Sequence, residues 1–247
     1  MRFIFRTGAR TDTGCVRAHN EDNIAALPQL GVWAVADGMG GHAAGDVASL
    51  IIVDELASLG IPVSAQDQRA RVLERLDRAH HRITAFAEEN GLKTVGATIA
   101  ALLVYGGELS CIWAGDSRIY LWREGVLTPL TKDHSEVAQM IAAGSMTEDE
   151  ARNSPRRNVI TRAIGIGAAP RPEIVSGALR SGDRLLICSD GLTEHLGDDD
   201  LLQALSGCSP AELLSEELIE MTRARGARDN VSVIVLDCEA IPDTEAS

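Results

Sequence analysis

Apolar positions recur along this chain at two periods, and the switches between them divide it into blocks. Short apolar runs predict strands over Asn23–Leu27 and Val32–Ala36, and Pro28-Gln29-Leu30-Gly31 between them predicts a hairpin. Two helical stretches follow. Gly45–Leu59 carries Val47, Leu50, Ile51 and Leu56 at an imperfect helical spacing. Ala65–Glu89 is cleaner: Val72, Leu76, Ala79, Ile83 and Phe86 line one face, and Asn90-Gly91 supplies the stop. A β block comes next, over Val95–Tyr105, Glu108–Ala114 and Arg118–Arg123, with tight turns at Gly106-Gly107 and Glu124-Gly125. The polar segment from Ser135 to Asn158 holds short helical pieces, one opened by the capping box Thr147-x-x-Glu150. Strand Arg184–Cys188 precedes a helix opened by Ser209-Pro210-Ala211-Glu212, with Ser209 expected as the cap and Pro210 at the first helical position. The last strand, Val231–Cys238, is almost continuously apolar and is expected to be buried on both faces.

Strands joined by two-to-four-residue turns pair antiparallel, because parallel pairs need long crossovers. Helices inserted as blocks between such hairpins cover the sheets from outside, which is an α+β layering. No linker, repeat or low-complexity stretch divides the 247 residues, so the chain is expected to form one domain over 1–241 with an acidic tail at 242–247.

Composition narrows the function. With 23 Lys+Arg against 36 Asp+Glu the formal charge is −13, which argues against bulk binding to nucleic acid or an anionic membrane. The start of the chain meets a charge too soon for a signal peptide, and no apolar run approaches a membrane span; the expected location is cytoplasmic. Five widely spaced cysteines, Cys15, Cys111, Cys188, Cys208 and Cys238, with no Cys-x-x-Cys, read as buried reduced thiols.

The candidate chemistry lies in the carboxylates. Ala36-Asp37-Gly38, Gly115-Asp116-Ser117, Ser189-Asp190-Gly191 and Asp229-Asn230 each place an Asp beside a small or polar residue at a strand end. Asp22 precedes one arm of the predicted hairpin and Asp37 follows the other, so both belong at its open end. Asp190 and Asp229 share an end in the same way if their strands are antiparallel neighbours. Clustered carboxylates raise one another's pKa unless a cation neutralises them, and an all-oxygen set favours magnesium or manganese over zinc. Singly, each Asp reads equally as a turn or helix-cap residue. Arg17 lies five residues before Asp22 and offers the bidentate fork that binds phosphate, or a surface ion pair with Glu21.

Five motifs appear in order: Arg17-x-x-Asn20-Glu21-Asp22, Asp37-Gly38-Met39-Gly40-Gly41-His42, Gly115-Asp116-Ser117-Arg118, Ser189-Asp190-Gly191-Leu192-Thr193 and Asp229-Asn230-Val231-Ser232. From about Thr7 to Asp237 the chain resembles the metal-dependent protein phosphatases, the type 2C serine/threonine phosphatases, in their compact bacterial form. The resemblance implies a four-layer sandwich: two antiparallel β-sheets flanked by helix pairs. It implies two or three divalent cations, Mn2+ or Mg2+, with Asp37 bridging two of them and the Gly38 carbonyl on one. Asp190 and Asp229 would hold the other, Glu21 and Asp22 would act through water, and Asp116 with Asp190 would make a weaker third site. Gly38 is expected to be glycine so that its backbone can approach a cation. Arg17 would hold the phosphate and His42 would protonate the leaving oxygen, although His42 reads equally as a helix N-terminal residue and a bound water can donate the proton. The implied substrates are proteins bearing phosphoserine or phosphothreonine, among them the targets of a bacterial serine/threonine kinase, acted on by a monomer. The segment 135–158 resembles a flap beside the active site, where Arg152, Arg156 and Arg157 face acidic or phosphorylated substrate or simply solvent. A silent phosphoprotein-binding relative and a small-molecule phosphohydrolase or nuclease are the competing readings.

Overall fold

The computed structural model describes residues 2–40 and 44–241, with the backbone alone for Arg2 and Arg152. Two antiparallel sheets lie face to face. The first has the order β1 (Arg2–Asp12), β11 (Val231–Ile241), β10 (Arg184–Cys188), β7 (Arg118–Arg123), β8 (Val126–Pro129). The second runs β2 (Asp22–Leu27), β3 (Val32–Gly40), β5 (Ile99–Tyr105), β6 (Glu108–Ala114), β9 (Glu173–Ala178), and β4 (Val95–Ala97) pairs with the end of β3. Helices α1 (Ala44–Ala57) and α2 (Ala65–Glu89) cover the second sheet; α6 (Asp198–Leu205) and α7 (Ala211–Ala224) cover the first. The α+β sandwich expected from the sequence is the fold observed.

The middle strands are buried on both faces over most of their length, which is why runs such as 32–36 and 233–236 are apolar without a break. Ile234, Leu236 and Cys238 of β11 meet Trp33, Val35, Ala100 and Leu102 between the sheets, while Val231, Val233 and Val235 face α7. Val32, Ala34 and Ala36 of β3 face the helix pair on the other side. Trp33 ties the sheets together: its ring meets Phe5 edge-on at 5.0 Å and its Nε1 donates to Thr7 Oγ1 at 3.2 Å.

Several expectations need correction. Strands β1, β8 and β9 and the helices α5 (Asp190–Thr193) and α6 were not anticipated. The run Val95–Tyr105 is two strands, broken at Thr98, whose N–H donates to the Asp37 carbonyl at 2.8 Å. In α1 the inward ridge is Ala48, Ile52 and Leu56, and Leu50 points out at 48% exposure. Helix α7 starts at Ala211 with Pro210 as the cap position. Its Ala211 N–H is taken by Asp237 at 3.1 Å, and Ser209 instead donates to Glu217 at 2.9 Å. All five cysteines are free; Cys111, Cys188 and Cys238 are buried, but Cys15 and Cys208 are exposed. Burial pushes each of the three buried thiols up to about 12, so they stay protonated.

Helix α2 is held to the sheet by a buried amide as well as by its apolar stripe. Gln68 Nε2 donates to the Leu30, Gly31 and Val104 carbonyls at 2.7, 3.2 and 3.2 Å. Gln68→Leu should lower unfolding stability by about 1–3 kcal/mol, because the Leu30 carbonyl is then buried without a donor. Denaturant unfolding checks this; an unchanged midpoint would show that water reaches that carbonyl.

Candidate active site

Strand register brings the predicted motifs together. Asp22 and Asp37 face each other directly across the β2–β3 pair. On the other sheet β10 and β11 are antiparallel, with Cys188 opposite Val233, so Asp190 and Asp229 lie just past the same end of that pair. The two sheets meet here: Ser189 Oγ on the first donates to Asp22 Oδ2 on the second at 2.8 Å. Thr98 and Ser117 share a hydroxyl bond of 2.7 Å, and Thr98 Oγ1 accepts the Asp37 N–H at 3.2 Å, which links the Asp37 turn to the Asp116 turn.

The carboxylates are buried and act on one another. Burial first, then the Asp22 and Asp190 charges, raises the Asp37 carboxyl well above its ordinary range. Asp190 is raised in the same way, by burial and then by Asp116, Glu194 and Asp229. Burial pushes Asp22 up to about 6 against the opposing bonds from Ser232 and Ser189, and Asp116 up to about 6 with help from Asp133. Glu21 is raised by burial and by Asp46. Among the described residues no three acidic, His or Cys side chains close into a metal shell as they stand. The donor chemistry nonetheless suits hard cations: several buried carboxylate oxygens whose ionisation is penalised by their neighbours are relieved by positive charge.

Positive charge already sits at the mouth. Arg17 Nη2 donates to Asp229 Oδ2 at 2.6 Å, so its ion pair is with Asp229 and not with Glu21. The Asp229 bond, foremost, raises the Arg17 pKa. Half its side chain remains exposed. The loop 13–21 that carries Arg17 is laced to Asn230, a residue the sequence marked only as part of a motif. Asn230 Oδ1 accepts the Glu21 N–H at 2.8 Å, and its Nδ2 donates to the Thr13 and His19 carbonyls, both at 2.9 Å.

At Gly38 the structure shows a packing reason for glycine. A Cβ at Gly38 would lie 2.1 Å from the Gly45 carbonyl oxygen and 2.6 Å from that of Glu21. The close approach there is to the start of α1. His42 lies outside the described residues, as does the tail 242–247. Segment 135–158 forms two short helices, α3 (Glu136–Ala142) and α4 (Glu148–Arg152), the latter with the expected Thr147–Glu150 capping box. Arg156 pairs with Glu136 at 2.6 Å, and Arg157 lies 3.8 Å from Glu194. Glu194 was missed: it accepts from Asn158 at 2.8 Å and adds its charge to both Asp116 and Asp190. Its only sequence signal was its place after Asp190-Gly191-Leu192-Thr193.

Residues 16–231 match the family model described as Protein phosphatase 2C. The chain is 40% identical, over 96% of its length, to the serine/threonine protein phosphatase PstP of Mycobacterium tuberculosis, of which it spans 46%. It is 34% identical to a putative protein phosphatase 2C-type of Streptococcus pyogenes, with 94% of this chain and 96% of that one covered. The crystal structure of the catalytic domain of PstP in complex with two manganese ions superposes with a TM-score of 0.87 at 37% identity, covering 97% of this chain and 100% of that one. The chain belongs to the protein phosphatase 2C family.

Proposed function

We propose that the chain is a metal-dependent protein serine/threonine phosphatase. The observation that carries this reading is the meeting of Asp22, Asp37, Asp190 and Asp229, from four separate sequence segments, at one mouth between the sheets, with Arg17 on the rim. Asp37, the Gly38 carbonyl, Asp190 and Asp229 hold two divalent cations, manganese or magnesium, with Asp116 contributing to a third. Glu21 and Asp22 support them through water. When bound, the cations lower the pKa of water and neutralise phosphate charge.

The chain's own residues do the rest. Arg17 turns its guanidinium to the phosphate oxygens, a charge-assisted contact that strengthens as charge builds on them. A serine or threonine alkoxide is a poor leaving group, and His42 donates the proton it needs. The buried thiols, held protonated, have no nucleophilic part. The substrates are phosphoserine and phosphothreonine proteins, the targets of a bacterial serine/threonine kinase and the kinase itself; Arg156 and Arg157 on the flap face them. Among the described residues no helix is long and apolar enough to cross a membrane. We place the chain as a monomer in cytoplasmic signal transduction.

Chelation should abolish turnover of a phosphothreonine peptide, and manganese or magnesium should restore it. Asp37→Asn, Asp190→Asn and Asp229→Asn should each lower kcat/KM by about 10²-fold or more and weaken manganese binding by calorimetry. Unchanged affinity in all three would remove them as ligands.

His42→Ala separates leaving groups. Single-turnover hydrolysis of a phosphoserine peptide should fall by about 10²-fold, while p-nitrophenyl phosphate, which departs with little help, should barely slow. Equal loss on both substrates contradicts the proton-donor role.

Asn230→Ala should free the Arg17 loop. KM for phosphopeptides should rise about tenfold, the equivalent of roughly 1.4 kcal/mol, with manganese affinity near wild type. A fall in kcat alone would count against this role.

A further inference from the structure

Next to the Asp116 turn lies a histidine that the reaction does not use. His134 is buried and stacks on Trp113 of β6, with ring centroids 5.8 Å apart and planes 9° from parallel. Its backbone N–H donates to the Gly115 carbonyl at 2.9 Å, and its Nδ1 accepts the Gly115 N–H at 3.2 Å. This two-way clamp grips the residue before Asp116. With Nδ1 accepting, the neutral ring carries its proton on Nε2. That nitrogen faces Glu173 Oε1 at 3.3 Å, which accepts its N–H; Arg162 Nη1 lies 3.3 Å from the same nitrogen and donates instead to Glu173 at 2.8 Å. Burial, then the Arg162 charge, keeps the imidazole below its ordinary pKa.

The other half of the arrangement is the segment that follows. The His134 carbonyl accepts the Thr161 N–H at 2.6 Å and the Thr161 hydroxyl at 3.0 Å. Ser135 caps α3 and bridges to Ile160. Both ends of segment 135–160 therefore meet at His134, whose ring reaches back to the Asp116 turn. The ring contact is not interchangeable with ordinary packing: a buried N–H at Gly115 without its acceptor is unfavourable, so the ring adds to the backbone bond in holding the turn.

We propose that His134 is a positioning residue that couples segment 135–160 to the Asp116 turn, so that loosening either one loosens the other. The clamp itself stands on the geometry alone. Its consequence for cation binding rests on the reading of Asp116 as a carboxylate of the metal cluster.

Two near-isosteres divide the ring. Asn can place its Oδ1 where Nδ1 stands and keep the acceptor for Gly115; Gln places its amide near Nε2 and cannot. Hydrogen exchange of the metal-free full chain, read on peptides covering 113–118 and 135–160, is the direct test. His134→Gln should speed exchange about tenfold or more in both peptides, and His134→Asn should leave 113–118 near wild type. Ser135→Ala, which removes the α3 cap without altering the ring, should speed both peptides as well. Loosening of 135–160 in either His134→Gln or Ser135→Ala with 113–118 unchanged would overturn the coupling. Equal loosening of 113–118 by Asn and Gln would reduce the ring to packing and overturn it too. Manganese titration then separates the two readings. His134→Gln should weaken the weakest manganese about tenfold, as Asp116→Ala does, and spare the tighter ones. If Asp116→Ala leaves the titration untouched, the ligand reading of Asp116 fails while the exchange data still decide the coupling.

Discussion

Burial of Asp22, Asp37, Asp116 and Asp190, made costlier by their mutual repulsion and the Asp229 charge, is the constraint around which the rest of this structure is arranged. A carboxyl with a higher pKa folded than unfolded binds its proton more tightly when folded, so ionising it lowers stability. For Asp22 and Asp116, raised from 3.8 to about 6, that cost is absent below about pH 4 and complete above about pH 6. The fold carries it because the strands behind the carboxylates are buried on both faces and cannot shift to spread the charge. Cations or protons at the mouth are the remaining relief, and near neutral pH cations are the better one.

The layering and the site residues could be read from sequence to different depths. Strands buried on two faces announce themselves, as Val231–Cys238 did. Edge strands do not. Glu173–Ala178 is exposed at every position, so no alternation marks it, and only pairing with Glu108–Trp113 makes it a strand. Arg2–Asp12 mixes charged, small and aromatic residues because it is an edge beside α7. The hairpin argument for Asp22 and Asp37 succeeded because a two-strand register depends on local turn length. The Asp190–Asp229 argument needed a pairing between residues 43 apart in the chain, as Ser189 and Ser232 are, which local pattern does not reveal.

Neutral polar residues were the least legible part. Thr98, Ser117, Ser189 and Asn230 have no charge, titrate nowhere near neutral pH and are common in turns. Yet they form the frame that sets each carboxylate. Ser189 accepts the Ser232 N–H at 2.9 Å and donates to Asp22 at 2.8 Å, so one hydroxyl joins both sheets. A hydroxyl can accept and donate at once, and a buried site made of acceptor-only carboxylates needs donors of that kind. The composition of the frame thus follows from the charge of the cluster.

Glycine in these motifs follows from packing of backbone on backbone. At Gly191 a Cβ would stand 1.9 Å from the Asn230 carbonyl oxygen; at Gly45 it would stand 2.8 Å from the Gly38 carbonyl carbon. Together with Gly38 these residues let three chain segments approach until only backbone separates them. Carboxylates on neighbouring segments can share a cation only if their backbones come that close, because an Asp side chain reaches only two bonds beyond Cα to its carboxyl carbon. On the proposed reading of Asp37 and Asp190 as ligands, a motif of Asp followed by Gly states a distance requirement: the Asp would supply the ligand, and the missing side chain would bring the next ligand within reach of the same ion.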